Sequence, residues 1–461
     1  MLFLPESNGR FPVGATTFKL PVSTKVLGTA KIRRHGHSDD GPSVKPALQL
    51  DEVVFTAYYP ADVKGSNIKK GLDWLLRPLR VSLNGYARYS GRSFGSSWIS
   101  TWLLWPIMYI YGRLLKIPVY PNAPLLRQRL TVSPVHTRSE TRPSSWPLVI
   151  FSHGLGGSQT AYSQLCTRLA SSGRVVLAVQ HCDGSGHAFI SSTTGPGLYV
   201  REKDLIWTSD NEKTMLNFRQ QQLTFRRHEI YLAFHSFKQL IQDGYQGSSH
   251  GLQSIDNKFI DWSSWSNDDD TKAVECEKDV LLAGHSFGGA TVATVQFTIL
   301  STDPPADLSA PIPVHKALIL DPWLEPIPSP GPFPPPQGSG DALPQLLVIN
   351  SEKFSLWKDH FARLIGVVQA WEPEKRRVLT ILRSQHESFS DFPLLPLVSR
   401  RPARIVMDRI VELSEAFIDG NVDTFVDETA TRKMEIRIVG KKPDGSPQRQ
   451  LVGEVGELIA H

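Results

Sequence analysis

The string GHSFGG, residues 284–289, sets a serine between glycines, a spacing that raises the chemistry of a nucleophilic hydroxyl. A serine hydroxyl is a weak nucleophile at neutral pH, so it needs a base to take its proton and an acid to orient that base. It also needs rigid N–H donors where negative charge develops on the attacked carbonyl. Pattern alone does not select the residue, because G-x-S-x-G strings are centred on Ser93, Ser249 and Ser286. Context does. Only Ser286 follows an apolar, strand-like run (280–283) and opens a helix-like one containing Ala290, Val292, Val295 and Phe297. Such a strand–turn–helix raises the hydroxyl on a tight backbone, and glycines at 284 and 288 make room for neighbouring chain. Ser93 follows a polar stretch and Ser249 sits among Gly and Ser, so both read as turn serines.

Where a nucleophile lies between strand and helix in this way, the acid and then the base follow along the chain at later strand ends. Asp321 closes the run 316–320, and His386 follows the run 378–382 in SQHESF. Glu352, just past the run 346–349, and Asp391, five residues after His386, are rival acids; His360, in a helix-like segment, is the rival base. Donors are expected from PLVIFSHGLGGSQ, where the run 148–151 enters a glycine-rich loop. There the backbone N–H of Leu155 would act together with that of Phe287, the residue after the serine. His181, Cys182, Asp183 and His187 lack a second ligand pair at metal-site spacing, and no phosphate-cradling or dinucleotide signature opens a helix after a strand. Neither a metal nor an organic cofactor is expected.

The elements that must position these residues are short apolar runs at 148–151, 175–179, 280–283, 317–320, 346–349 and 378–382, read as strands buried on both faces. Between them lie helical periods, such as Tyr162, Leu165 and Leu169, or Leu223, Ile230, Phe234, Phe237 and Ile241, and later Ile410, Leu413 and Phe417. The alternation predicts an α/β chain of α/β-hydrolase fold: a mostly parallel, doubly wound sheet, with runs 13–20 and 53–59 as an antiparallel lead-in. One hydrolase domain is expected over 1–424, with insertions near 248–271 and 325–344. Residues 425–461 form a C-terminal extension in which KKPDGSPQ suggests a hairpin turn.

At 461 residues, 40% hydrophobic and 21% charged, the chain can bury a large core, and its net charge of +5 in short basic clusters gives no nucleic-acid surface. Three cysteines make no disulfide framework, and the first residues carry no secretory signal pattern, so a cytoplasmic location is expected. Residues 94–112 hold no charge over 19 positions, at the lower limit of a membrane span, but Ser, Thr and Pro106 weigh against spanning. The stretch reads either as a buried element or as a lipid-facing segment in which Trp98, Trp102, Trp105 and Tyr109 sit at headgroup depth, giving peripheral membrane association. The oligomeric state is not legible.

PLVIFSHGLGGSQTAYSQLCTRLASSGRVVLAVQHCDGSG, GHSFGGATV, ALILDPW, VINSEKF and SQHESFSDF resemble, in order and spacing, successive blocks of the platelet-activating factor acetylhydrolase family. That family comprises the lipoprotein-associated phospholipases A2 and their intracellular relatives. The likeness extends over residues 12–418 and includes PVGATTF, AYYPAD and the hydrophobic WISTWLLWPIMYIYGRLL, similar to the region with which family members meet lipid. The resemblance implies Ser286 as nucleophile, Asp321 as acid, His386 as base, and Leu155 and Phe287 as oxyanion donors. It also implies calcium-independent hydrolysis of the sn-2 ester of phospholipids with short or oxidised acyl chains. The proline-rich 325–344, the segment 248–271 and the C-terminal extension depart from the family blocks and put the substrate range in question. A carboxylesterase for small soluble esters is the alternative function, and a non-catalytic binding protein on the same fold a more distant one.

Overall fold

The computed structural model describes residues 1–33, 44–65, 67–91, 98–128, 145–207, 214–247, 251–255, 260–267, 272–300, 310–332, 334, 343–373, 375–430 and 432–461. A central sheet is built from β1 (Val13–Val26), β2 (Gln49–Pro60), β3 (Trp146–Ser152), β4 (Val175–Gln180), β5 (Val280–His285), β6 (Val314–Leu320), β7 (Gln345–Ser351) and β8 (Val378–Ile381). Beyond these come a hairpin, β9 (Ile436–Lys441) and β10 (Pro447–Leu451), and a last strand, β11 (Leu458–Ala460). The spatial order is β1-β2-β4-β3-β5-β6-β7-β8-β11, with short Gln253–Ser254 at the β1 edge. The strands from β4 to β8 run parallel, while β1, β2 and β4 pair antiparallel and β11 returns antiparallel on β8. This is the doubly wound sheet with an antiparallel lead-in that the sequence predicts.

The near-continuous apolar strand sequences follow from burial on both faces. Leu148 and Ile150 of β3 point into one core with Leu177 and Leu282, while Val149 and Phe151 point into the opposite core with Val176 and Leu281. The first core is covered by α4 (Met215–Gly247), α5 (Phe287–Leu300) and α7 (Lys358–Trp371), the last preceded by the one-turn α6 (Glu352–Ser355). The second is covered by α1 (Leu79–Tyr89), α3 (Ser163–Ser171) and α8 (Arg401–Ile418). Helix α9 (Val422–Thr429) crosses position 425, and β11 is part of the main sheet, so the last residues are integrated with the domain, the β9–β10 hairpin forming a small sheet of its own. Inside 248–271, Trp265 is fully buried against Phe18, Tyr59 and Phe237. In the proline-rich 325–344, residues 333 and 335–342 lie outside the described residues, and the described start is held by Arg363 Nη2, which donates to Ile327 O at 2.8 Å and Gly331 O at 3.0 Å.

Helix α2 (Trp98–Leu114) has one side on the core and one side in solvent. Trp105 and Tyr111 pack inward, the Tyr111 hydroxyl donates to Pro396 O at 2.7 Å, and a Cβ on Gly112 would stand 2.6 Å from Leu75, so this face lies tight on its neighbours. The outer face shows Ile107 at 61% exposure and Ile110 at 58%, with Met108, Tyr109 and Leu114 beside them. No helix among the described residues is long and apolar enough to cross a membrane. Of the four aromatic anchors expected from sequence, the side chains of Trp98 and Trp102 lie outside the described residues, Trp105 is half-buried, and Tyr109 is exposed and stacked on Trp105.

Candidate active site

Ser286 occupies the junction of β5 and α5 with φ 57°, a left-handed conformation that costs a non-glycine residue roughly 1–2 kcal/mol. Packing over-determines it. Ser286 N donates to Leu320 O at 2.9 Å, its carbonyl accepts from Ala290 N and Trp323 N, and the flanking glycines leave no alternative. A Cβ on Gly288 would lie 2.0 Å from Ser152 O, and one on Gly284 would lie 2.3 Å from Gly288 O. The serines of the other two G-x-S-x-G strings lie outside the described residues.

The structure brings Ser286, His386 and Asp321 into one hydrogen-bonded chain. His386 Nε2 lies 2.9 Å from Ser286 Oγ, and Nδ1 lies 2.9 Å from Asp321 Oδ2. Asp321 ends β6 at φ 45°, is wholly buried, and accepts from Ser351 N at 2.6 Å and Ser351 Oγ at 2.5 Å at the end of β7. The imidazole of His386 is held between rings: Phe354 stacks on it at 4.3 Å and 4°, and His285 contacts its other side at 4.5 Å. The rival acids are engaged elsewhere. Glu352 accepts from Arg383 N and its guanidinium and from Leu451 N. Asp391 accepts from Ser163 N and Oγ, Gln164 N and Trp74 Nε1, clamping the start of α3 to the stretch after His386. Burial raises the Asp391 carboxyl to about 6. The rival base His360 stacks on Trp357, and its Nε2 faces Leu324 N.

The N–H groups of Leu155 and Phe287 have no hydrogen-bond partner among the described residues. The Leu155 loop lies against the serine, since a Cβ on Gly154 would come within 3.0 Å of Ser286 Cβ. Behind both donors lies a buried network that the sequence reading missed. Arg226 Nη1 donates to His153 O at 2.7 Å, Nη2 to Ser185 Oγ at 2.6 Å and Nε to Asp183 Oδ2 at 3.0 Å, and the guanidinium sits 4.4 Å over the Phe287 ring. Glu229 accepts from Cys182 N and bonds His181 Nδ1 at 2.6 Å, while His181 Nε2 meets Ser152 Oγ. Burial pushes the Glu229 carboxyl well up and the His181 imidazole well down. The available signal was Arg219, Gln222, Arg226 and Glu229, polar at helical spacing on a face of α4 that must be buried.

His181, Cys182, Asp183 and His187 do not converge as ligands: His187 stacks on Tyr86 at 3.9 Å, and Asp183 serves Arg226. Among the described residues, ligand atoms of His285, Asp321 and His386 fall within 4.8 Å of one another. Both nitrogens of His386 and both oxygens of Asp321 are already spent in the hydrogen-bonded chain, while His285 gives Nδ1 to the Tyr162 hydroxyl at 2.8 Å. That pattern suits proton transfer from Ser286 Oγ to His386 Nε2, with Asp321 orienting the imidazole through Nδ1.

The chain opens into a cavity of about 1310 Å³ whose walls are largely apolar, with Leu83, Tyr86, Met108, Tyr111, Trp323 and Trp357 among them. Residues of α1 and α2 form part of its wall, and Met108, on the exposed side of α2, is one of them.

Among solved structures, a ferulic acid esterase from Streptomyces cinnamoneus superposes with a TM-score of 0.51 at 16% identity, over 91% of this chain and 92% of that one, a likeness of fold. In sequence, the chain is 28% identical over 274 residues to the platelet-activating factor acetylhydrolase of Gallus gallus, covering 56% of each chain. It is 26% identical over 395 residues to that of Canis lupus familiaris, covering 84% of this chain and 68% of that one. The chain thus spans little more than half the length of the chicken relative. The model of the family described as "Platelet-activating factor acetylhydrolase, isoform II" matches residues 107–400, well over half of the sequence, and the chain belongs to that family.

Proposed function

We propose that this protein is a calcium-independent serine hydrolase that cleaves the sn-2 acyl ester of phospholipids with short or oxidised chains, from the cytoplasmic side and peripherally bound to membranes. The observation that carries the reading is His386 bonded at once to Ser286 and Asp321 at the base of a large apolar cavity. Family membership supports the ester chemistry, and three free, buried cysteines agree with a reducing compartment.

In this mechanism Ser286 Oγ attacks the sn-2 carbonyl carbon as His386 Nε2 takes its proton, and Asp321 holds the Nδ1–H and balances the imidazolium. The carbonyl oxygen becomes an oxyanion facing the N–H groups of Leu155 and Phe287. Collapse breaks the bond to the glycerol oxygen, which leaves with the proton from His386, and the acyl group remains on Ser286. Water then attacks with His386 again as base, freeing the acid and restoring the serine. Every step is carried by side chains and backbone of this chain.

The test is fatty acid release by purified protein from phosphatidylcholines of increasing sn-2 chain length, with chelator present and Ser286→Ala as control. Release that falls with chain length and drops by at least about a thousandfold in the variant is expected. Absence of Ser286-dependent release at every length overturns the phospholipid reading.

A further inference from the structure

A second groove, of about 1110 Å³, runs from the candidate active site to the β9–β10 hairpin. Phe354, Trp357 and His386 line both this groove and the apolar cavity, so the two form one continuous depression with the imidazole of His386 at their junction. Their chemistry is opposite. The groove carries Lys353, Lys358 and Arg383 on its inner wall and Lys441, Lys442 and Arg449 on the hairpin, with Gln448 and Gln450 between them. Its one carboxylate, Glu352, is buried and already neutralised by Arg383 at 3.1 Å. Lys353, Lys358, Lys441, Lys442 and Arg449 have no ion-pair partner among the described residues. Asp444 in the hairpin turn accepts from Ser446 N and Oγ and lies within electrostatic reach of Lys442.

The hairpin is fixed against the site. Arg383 donates to Leu451 O at 2.7 Å and Gly453 O at 2.6 Å, while Leu451 N donates to Glu352 Oε1 at 2.9 Å. Glu352 and Arg383 follow β7 and β8, the strands whose ends also carry Ser351 and lead to His386. A cluster of exposed cations ordinarily faces only water. This one is concave, is walled by two separate parts of the chain, and opens onto the reacting centre. In a glycerophospholipid only the C2–C3–O link separates the sn-2 ester from the phosphate, so an ester at Ser286 leaves its phosphate near the mouth of this groove.

Resting on the hydrolase reading above, we propose that the groove receives the headgroup of the substrate and selects phospholipids whose headgroup is net negative over those with a phosphocholine. The phosphate and any further acidic substituent lie among the lysine and arginine heads, whereas a quaternary ammonium meets the same cations, with the groove's lining carboxylate, Glu352, already taken by Arg383.

The test uses short-chain substrates below their micellar concentration, which removes attraction to a charged lipid surface: phosphatidylglycerol and phosphatidylcholine of matched acyl chains. Active sites are counted by titration with a fluorophosphonate. The expected result is a kcat/KM advantage of roughly tenfold for the glycerol headgroup at low salt, shrinking as NaCl is raised. In Lys441→Gln/Lys442→Gln/Arg449→Gln that ratio falls to near one. Equal kcat/KM for the two lipids, or a preference that survives the triple variant and high salt, overturns the proposal and leaves the hydrolase reading standing. If Ser286 titrates but neither lipid is cleaved, the phospholipid reading falls and this inference with it.

Discussion

Arg226 is the residue on which both proposed oxyanion donors depend. Its guanidinium holds the carbonyl of His153, two residues before Leu155, and sits over the ring of Phe287, so one group spaces the two N–H groups. It is also a buried cation close to where negative charge would develop, in surroundings that screen it poorly. A lysine cannot reproduce the fork that reaches His153, Ser185 and Asp183 together. Arg226→Lys is therefore expected to lower kcat on a soluble ester by roughly 10- to 100-fold with KM little changed, read by steady-state kinetics against titrated active sites. Loss of thermal stability with an unaltered kcat per titrated site would show that Arg226 only supports the fold. Arg226→Met leaves Asp183 as an unpaired buried charge, and its expected effect is a stability loss of about 3–5 kcal/mol.

At the scale of elements, the strands were legible because burial on both faces turns each into an apolar run, and Ser286, Asp321 and His386 could be found as residues just past such runs. The setting of α2 was not legible. Its stretch is apolar around the whole helix, so no stripe in the sequence says which side meets the core. That choice is made by contacts distant in sequence, Gly112 against Leu75 and Tyr111 against Pro396, and it turns Trp105 inward and leaves Ile107 and Ile110 on the exposed edge. The buried network escaped for a similar reason, since Arg226 and His153 are brought together only by the packing of α4 on β2, β4 and α5. If the exposed edge of α2 seats the protein on lipid, Ile107→Ser/Ile110→Ser removes two aliphatic side chains from that contact. Binding to phospholipid vesicles, measured by sedimentation, is expected to weaken by roughly tenfold or more, with p-nitrophenyl butyrate turnover retained. Unchanged vesicle binding would remove α2 from the membrane contact.

Across the whole molecule, the sheet buries an unusual set of histidines next to the site, and this sets the acid limit of the fold. Burial holds His153, His181 and His285 well below the ordinary imidazole range, and lowers His187 to about 4. Each is neutral in the folded chain and takes up a proton near pH 6.5 when unfolded, so its contribution is complete above 6.5 and is lost as pH falls from there toward the folded value. His187 alone costs about 1.4 kcal/mol of stability for each pH unit in that window. Asp391 acts in the opposite sense: with its carboxyl raised to about 6, the folded state holds a proton that the unfolded state gives up, so stability rises as pH falls from 6 toward 4. Glu229, its carboxyl also pushed up by burial, acts in the same sense as Asp391, so the two offset part of the histidine loss and leave the other depressed histidines against a net stability of typically about 5–15 kcal/mol. Denaturant midpoints measured from pH 7.5 to 4.5 should therefore fall steeply below 6.5, with unfolding in buffer before pH 4. Activity on a soluble ester should be lost irreversibly on the same acid limb, since the histidines that must charge surround Ser286 and the Leu155 loop. A midpoint that stays flat down to pH 4.5 would mean that these side chains reach water or a counter-charge in the folded chain, and that the network behind the oxyanion donors is looser than its hydrogen bonds imply.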